Sequence, residues 1–91
     1  MASESAIIYE VEKIAANSPT YWTVGITSNP EKRKLEHNNP ITWHYWDAGH
    51  EFSARRLEKY FTDKGMKCDT GQDLSPRYIY LFWSGFYLDH P

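Results

Sequence analysis

Residues 21–37, YWTVGITSNPEKRKLEH, combine the signals of a strand with those of the helix that follows it. Residues 21–27 are dense in aromatic and β-branched side chains, whose bulk at Cβ suits a half-buried pleated surface, so this part predicts a strand. The helix is predicted to begin at Pro30, because Asn29 can cap it and a proline at the first helical position loses no hydrogen bond. The helix should end near Asn38.

Two features of this stretch point to a functional site. Arg33 and His37 stand four residues apart, so the predicted helix places a cation and a titratable imidazole on one face. Gly25 lies inside the predicted strand, where an isolated glycine indicates that another group approaches the backbone closely. A plainer interpretation also fits, in which Arg33 is a solvated charge, His37 is favoured by the helix dipole and Gly25 marks a bulge.

With this spacing the stretch resembles the second half of the core motif of the GIY-YIG nucleases. Members of that family carry a strand that ends in a Tyr-hydrophobic-Gly signature, then a helix with an essential arginine and often a histidine one turn later. Thr23-Val24-Gly25 looks like that signature, and Arg33 and His37 fall at the matching places. Thr23 stands where the family has a tyrosine, so one of the two phenols that the family places near the scissile phosphate is missing.

Length and composition predict a single domain over residues 1–91, with four Trp, seven Tyr and four Phe to enlarge a small core. The net charge is −2, which lacks the basic excess of domains that grip long nucleic acids through their phosphates. The one cysteine, Cys68, excludes an internal disulfide, and no long apolar run or signal-peptide pattern is present. The sequence therefore predicts a cytoplasmic (intracellular) protein with no membrane partner.

The rest of the chain predicts alternating helices and strands. Apolar residues at helical spacing predict a first helix over residues 1–16, although residues 7–9 also resemble the opening strand of the nuclease family. The overall prediction is an α/β (α+β) fold, a small three-stranded sheet flanked by about three helices in the order α-β-α-β-α-β. The other predicted segments are a strand at 41–46, a helix at 51–64, a polar loop at 66–76, an apolar and hence central strand at 77–83, and a tail at 86–91.

Glu58 is the candidate metal ligand. It lies beside Leu57 and three residues before Phe61 in the third predicted helix, at the margin of the apolar stripe. The run ARRLE that Glu58 closes, followed by Phe61, also resembles the second signature of the family, a helix whose glutamate holds the divalent metal. The plainer alternative is a solvated Glu58 that pairs with Arg55 or Lys64.

The resemblance implies metal-dependent hydrolysis of phosphodiester bonds in DNA or RNA. Glu58 would hold one Mg²⁺ or Mn²⁺, Arg33 would bind the nonbridging phosphate oxygens, and His37 would act as a base or phosphate donor. The phenol that orients the attacking water would be Tyr80 or Tyr21. Tyr80 can replace the missing family tyrosine, as in a circular permutation, provided that the last strand lies beside the first.

Two other classes of protein fit the sequence. A catalytically inactive GIY-YIG-like module would bind protein or single-stranded nucleic acid, with the four tryptophans as stacking candidates. A structural or oligomeric domain would use its acidic N-terminal helix as the partner surface, and the oligomeric state itself stays open. Clustering of Arg33, His37 and Glu58 in an open cleft would favour the enzyme, whereas scattering or mutual neutralisation by salt bridges would favour the other classes.

Overall fold

The computed structural model describes residues 2–15, 17–69 and 73–84. Within them lie three α-helices and one four-stranded sheet, so the predicted α+β class is confirmed. The predicted count of three strands is wrong, because a two-residue strand forms inside the segment predicted as a polar loop. None of the described helices is long and apolar enough to cross a membrane. The elements are α1 (Glu4–Ala15), β1 (Trp22–Thr27), α2 (Pro30–Glu36), β2 (Trp43–Asp47), α3 (Glu51–Asp63), β3 (Lys67–Cys68) and β4 (Tyr78–Trp83).

The ends of α2 follow from its capping residues. Asn29 caps the helix as predicted, since its side-chain oxygen accepts a hydrogen bond from the Lys32 amide at 3.1 Å. The helix ends at Glu36, before the predicted end, because Asn38 and Asn39 adopt left-handed φ angles of 65° and 54°. The sequence therefore predicts the start of this helix better than its end.

The first segment is a helix and not a strand. Residues 7–9 lie inside α1, so the alternative in which they form an opening strand is wrong. Ile7 and Val11 are buried one turn apart, as the helical spacing predicts. At the start of α1 the Ser3 hydroxyl accepts a hydrogen bond from the Ala6 amide at 3.2 Å, which satisfies one of the free amides there.

The sheet has the strand order β2-β4-β1-β3. Strand β4 runs antiparallel to both of its neighbours and is central, as its apolar sequence predicts, while β3 is parallel to β1 at the edge. The pairing of β1 with β4 sets Gly25 directly opposite Tyr80, so the last strand lies beside the first, as the replacement of the missing tyrosine by Tyr80 requires. The tail predicted at 86–91 lies outside the described residues.

One face of the sheet, which we call the core face, is covered by α1 and α3. Because side chains alternate along a strand, every second residue of β1 and β4 points to this face, and these positions are apolar. His44 lies on this side, with its ring centroid 6.3 Å from that of Trp22 and 6.2 Å from that of Trp46. The core includes Ile7, Val11, Val24, Ile26, Leu57, Phe61, Ile79 and Leu81, each at most 5% exposed.

The opposite face, which we call the site face, carries stacked rings instead of aliphatic side chains. Trp43 of β2 stacks on Tyr80 of β4, with ring centroids 4.8 Å apart and planes 18° apart. The ring of His37, just past the end of α2, lies 4.7 Å from the ring of Phe82. The site face thus places a histidine and a buried phenol next to each other on an aromatic floor.

Candidate functional site

Five polar side chains form a connected network on the site face, and we call it the Arg33 network. Arg33 and His37 come from α2 and its C-terminal cap, and Tyr80 comes from the middle of β4. Asp69 directly follows β3, and Asp73 lies farther along the chain, before β4. The network therefore joins parts of the chain that are far apart in sequence, with contacts between residues separated by 40 positions (Arg33 and Asp73) and by 43 positions (His37 and Tyr80).

Asp69 lies at the centre of the network. Its Oδ2 atom lies 2.9 Å from His37 Nε2 and also accepts a hydrogen bond from the Tyr80 hydroxyl. The backbone fixes its position, since the Asp69 amide donates to the Val24 carbonyl at 2.9 Å and continues the pairing of β3 with β1. Burial opposes ionisation, but the hydrogen bonds from Tyr80 and His37 and the charge of Arg33 hold the pKa of Asp69 below its ordinary value. Asp69 is therefore a carboxylate at neutral pH.

Tyr80 reaches this position because Gly25 has no side chain. A Cβ atom at Gly25 would lie 2.9 Å from Cε2 of Tyr80 and still closer to its hydroxyl oxygen, so any other residue would displace the ring. The close approach predicted from the isolated glycine is thus confirmed. Burial and the neighbouring Asp69 carboxylate raise the pKa of Tyr80 far above its ordinary value. The phenol stays protonated and can donate a hydrogen bond, but it is a poor base.

The guanidinium of Arg33 faces three carboxylates. Its Nη2 group donates to Asp73, its Nη1 lies 3.9 Å from Asp69 Oδ2, and its Nε lies 3.4 Å from Glu36 Oε1. Burial lowers the pKa of Arg33, but the neighbouring negative charges, of which Asp73 has the largest effect, raise it above its ordinary value. Arg33 is thus a cation whose charge is neutralised within the chain.

Asp73 is held by donors on β1 and at the start of α2. One carboxylate oxygen accepts hydrogen bonds from the Thr27 hydroxyl, from the Ser28 amide at 2.9 Å and from the Ser28 hydroxyl at 3.4 Å. The other oxygen accepts from Arg33. Burial raises the pKa of Asp73, but the Thr27 and Ser28 hydrogen bonds and the Arg33 charge outweigh this effect and lower it.

Glu58 does not hydrogen-bond to the Arg33 network. It lies on α3, where the Cys68 thiol donates to its Oε2 atom at 3.4 Å. Burial raises the pKa of Glu58, and the negative charge of Asp69 raises it further, so the two carboxylates are close enough to repel. Burial and the Glu58 carboxylate raise the pKa of Cys68 to about 11, which keeps this sulfur a thiol.

The described residues could hold a divalent cation through one carboxylate, that of Glu58, with water as the remaining ligands. Among the described residues there is no group of three or more His, Cys, Asp or Glu side chains that could hold a metal ion. Mg²⁺ nevertheless binds through one or two carboxylates while it keeps several waters, and Glu58 is a partly buried carboxylate that a cation would relieve of repulsion by Asp69. One ligand from the chain with waters for the rest is the arrangement that these residues can support.

Tyr21, the second candidate phenol, is not part of the Arg33 network. It lies in a 3₁₀ turn at Pro19–Tyr21, and its ring packs edge-on against Trp83 at 5.4 Å. Its carbonyl accepts a hydrogen bond from the Ser84 amide at 2.8 Å. Thr23, which stands at the family tyrosine position, also pairs with Ser84, with the two hydroxyl oxygens 2.7 Å apart.

Asp69 and Asp73 are the residues that the sequence analysis missed. Both lie in the segment predicted as a polar loop, where aspartates carry no periodic signal. Their importance depends on the short strand β3, which brings Asp69 beside Val24, and on the long-range contact of Asp73 with Arg33. The only signal in the sequence was the presence of two acidic residues after a candidate Arg/His pair, and that signal is common in solvated loops.

Comparison with known proteins adds no relative. No family model, no curated protein and no solved structure matches the chain. The resemblance to GIY-YIG nucleases therefore rests on the motif residues themselves, and the function has to be argued from the geometry of the Arg33 network.

Proposed function

We propose that the chain is a GIY-YIG-type phosphodiester hydrolase that cuts DNA or RNA with the help of a divalent cation. The observation that carries the proposal is the convergence of Arg33, His37 and Tyr80 beside Gly25, although the three side chains come from different parts of the chain. Phosphodiester hydrolysis needs a cation for the nonbridging oxygens, a positioned water and a proton acceptor. This network contains candidates for each of these functions.

Arg33 is the candidate phosphate ligand. Its planar fork matches two phosphate oxygens, and its raised pKa keeps it charged throughout the pH range of the cell. In the free protein Asp73 and Asp69 take the places of those oxygens. Substrate binding in this proposal exchanges at least one carboxylate for a phosphate.

Tyr80 and His37 have different roles in this proposal, since Tyr80 donates a hydrogen bond and His37 accepts a proton. Tyr80 is a donor that orients water or a phosphate oxygen, because its raised pKa prevents it from acting as the base. His37 Nε2 lies 2.9 Å from Asp69 and 3.4 Å from the Tyr80 oxygen. When Nε2 donates its proton to Asp69, Nδ1 is the ring nitrogen that can accept one, so Asp69 fixes the tautomer that a base requires.

The divalent cation of the proposal would be held by Glu58 and water. When bound, a cation of this kind stabilises charge on the phosphoryl oxygens and on the leaving group. Glu58 contributes an oxygen ligand from a position on α3 whose burial penalises the bare carboxylate. Its raised pKa also means that the cation competes with a proton for this oxygen.

A cleavage assay with end-labelled single-stranded DNA, duplex DNA and RNA tests the proposal, with Mg²⁺, with Mn²⁺ and with a chelator. Arg33→Ala and Glu58→Gln should each abolish a cation-dependent cleavage. Arg56→Ala is the matched control, because Arg56 is an exposed cation that pairs with Glu4 away from the network. Absence of cleavage by the wild type, or full cleavage by the Arg33 variant, would overturn the proposal.

One observation favours a second function, that of a catalytically inactive GIY-YIG-like module that binds protein or single-stranded nucleic acid. The positive charge of Arg33 is neutralised by Asp69, Asp73 and Glu36, as expected for a structural ion pair and not for an open catalytic cation. This function predicts binding of single strands by fluorescence anisotropy in the presence of a chelator, without cleavage under any condition. The hydrolase predicts cleavage that depends on the cation.

A further inference from the structure

The four donors around Asp73 have the composition of an anion-binding site. The Thr27 hydroxyl, the Ser28 amide and the Ser28 hydroxyl meet on one oxygen, and Arg33 takes the other. Thr27 is only 1% exposed, so its hydroxyl is held in place by the surrounding sheet. Two hydroxyls, an amide and a guanidinium recognise acceptor oxygens of carboxylates and phosphates alike. The donors therefore specify an anion but not Asp73 in particular.

A cavity of about 190 Å³ adjoins this carboxylate. It is several times larger than the roughly 30 Å³ that one water occupies in the liquid, so a phosphate group has room there. Its charged lining residues are Lys32, Arg33, Glu36 and Asp73, which sum to zero. If the Asp73 carboxylate moves aside, Arg33 loses its nearest negative partner and keeps only Glu36 at 3.4 Å and Asp69 at 3.9 Å, so a phosphate can replace the lost negative charge.

A second cavity of about 290 Å³ shares Ser28 and Asn29 with the first. Two tyrosine rings line it, Tyr45 of β2 and Tyr78 of β4, whose centroids lie 6.1 Å apart in an edge-to-face arrangement. Tyr45 is 49% exposed, although most aromatic rings of the site face are stacked on one another. A half-exposed aromatic ring beside a phosphate-sized cavity is suited to stacking of a nucleobase.

We infer that Thr27, Ser28 and Arg33 form a phosphate subsite that Asp73 occupies in the free protein, with Tyr45 and Tyr78 as the adjacent platform for a base. The ligand class is a nucleotide, either free or within a single strand, whose phosphate displaces the Asp73 carboxylate. The inference rests on the proposed function for the biological use of the subsite, but the binding step requires neither a cation nor cleavage. Asp73 acts as a built-in competitor that weakens phosphate binding.

Two-dimensional ¹H–¹⁵N NMR titrations of the full chain test the inference, first with inorganic phosphate and then with adenosine 5′-monophosphate. Asp73→Asn removes the competing charge while it keeps the shape of the side chain. We expect this variant to bind phosphate about tenfold more tightly than the wild type, the change that loss of one charged hydrogen bond implies. Asp63→Asn is the control, because Asp63 is an exposed carboxylate on α3 that pairs with Lys59. This control should bind phosphate as the wild type does.

Tyr45→Ser separates the two parts of the subsite. It should weaken binding of the nucleotide and leave binding of inorganic phosphate unchanged. Equal phosphate affinities in Asp73→Asn, Asp63→Asn and the wild type would overturn the inference. If Asp73→Asn does not fold, the titration of the wild type with phosphate tests the inference instead. Phosphate that displaces Asp73 breaks the hydrogen bond from the Ser28 amide, so the Ser28 amide resonance should shift. A resonance that does not shift would overturn the inference.

The phosphate titration and the cleavage assay together separate this inference from the proposed function. Phosphate binding that strengthens in Asp73→Asn, together with no cleavage of any nucleic acid, supports the subsite and refutes the hydrolase. Cation-dependent cleavage that requires Arg33, together with no effect of Asp73→Asn on phosphate binding, supports the hydrolase and refutes the inferred subsite.

Discussion

The core face and the site face of the sheet are built from alternate residues of the same strands, yet they differ in kind. Val24 and Ile26 of β1 meet aliphatic side chains from two helices, and Gly25 between them leaves room for a phenol. The core face buries apolar area and contains no charge pair among the described residues, while the site face partly buries Arg33 and the carboxylates of Asp69 and Asp73. Partial burial of these charges carries a desolvation cost, which the hydrogen bonds and ion pairs of the network offset.

The core face should show the largest response to mutation. Leu57→Ala removes a side chain that is 1% exposed and leaves a cavity between α3 and the sheet. We expect the free energy of unfolding to fall by about 2–5 kcal/mol, the usual range for such a truncation. Urea denaturation followed by tryptophan fluorescence measures it. A loss under about 1 kcal/mol would contradict the assignment of this face as the main source of stability.

Gly25→Ala tests whether Tyr80 on the site face needs the space that the missing side chain of Gly25 leaves. The added Cβ would collide with the Tyr80 ring, so we expect a loss of about 1–3 kcal/mol, which is typical of an overpacked interior. A double-mutant cycle supplies the control, because Gly25→Ala should cost much less when Tyr80 is already alanine. Equal costs in both backgrounds would show that Tyr80 does not need the space above Gly25.

Acid should weaken the site face before it affects the apolar core. The pKa values of Asp69 and Asp73 are lowered by folding, so the unfolded chain takes up protons first as the pH falls. The stability that these carboxylates contribute is complete above their unfolded pKa of about 3.9 and is lost as the pH drops through the lower folded values. Urea denaturation at a series of pH values should give a shallower acid decline for Asp73→Asn than for the wild type. Identical declines would mean that Asp73 is not stabilised as a carboxylate.

The smallest effect belongs to a charge pair on neither face of the sheet. Lys59 and Asp63 pair at 3.1 Å on α3 with side chains 77% and 64% exposed. We expect Lys59→Ala to change the free energy of unfolding by less than about 0.5 kcal/mol, because water screens exposed pairs. Chemical denaturation at low and high salt checks this. A change above about 1 kcal/mol would show that exposure is a poor guide to the strength of ion pairs here.

The sequence predicts the core face better than the site face, for a physical reason. The apolar periodicity of α1 and α3 and the aromatic and β-branched runs of β1 and β4 are local signals, and the structure confirms those elements. The Asn29 cap and the close approach at Gly25 are local signals as well. Asp69 and Asp73 gain their positions only through long-range contacts, so no local pattern could identify them.

The two candidate phenols show the same limit. The sequence offered Tyr80 and Tyr21 as alternative phenols, with Tyr80 as the replacement for the missing family tyrosine if the last strand lies beside the first. The register of β1 against β4 places Tyr80 opposite Gly25 and leaves Tyr21 against Trp83 at another part of the sheet. Strand pairing of this kind joins residues that are far apart in the chain, and local composition does not specify it.

If the site face is the reactive face, as we propose, Tyr80→Phe and Tyr21→Phe should differ in their cleavage of nucleic acid. Each variant removes one hydroxyl and keeps the ring, so both should fold. We predict that Tyr80→Phe lowers the rate of cation-dependent cleavage of a labelled single strand at least about 100-fold, the usual cost of removing one hydrogen-bond donor from an active site. Tyr21→Phe should cleave at the wild-type rate. Equal rates in the two variants, or no cleavage by the wild type, would contradict the claim.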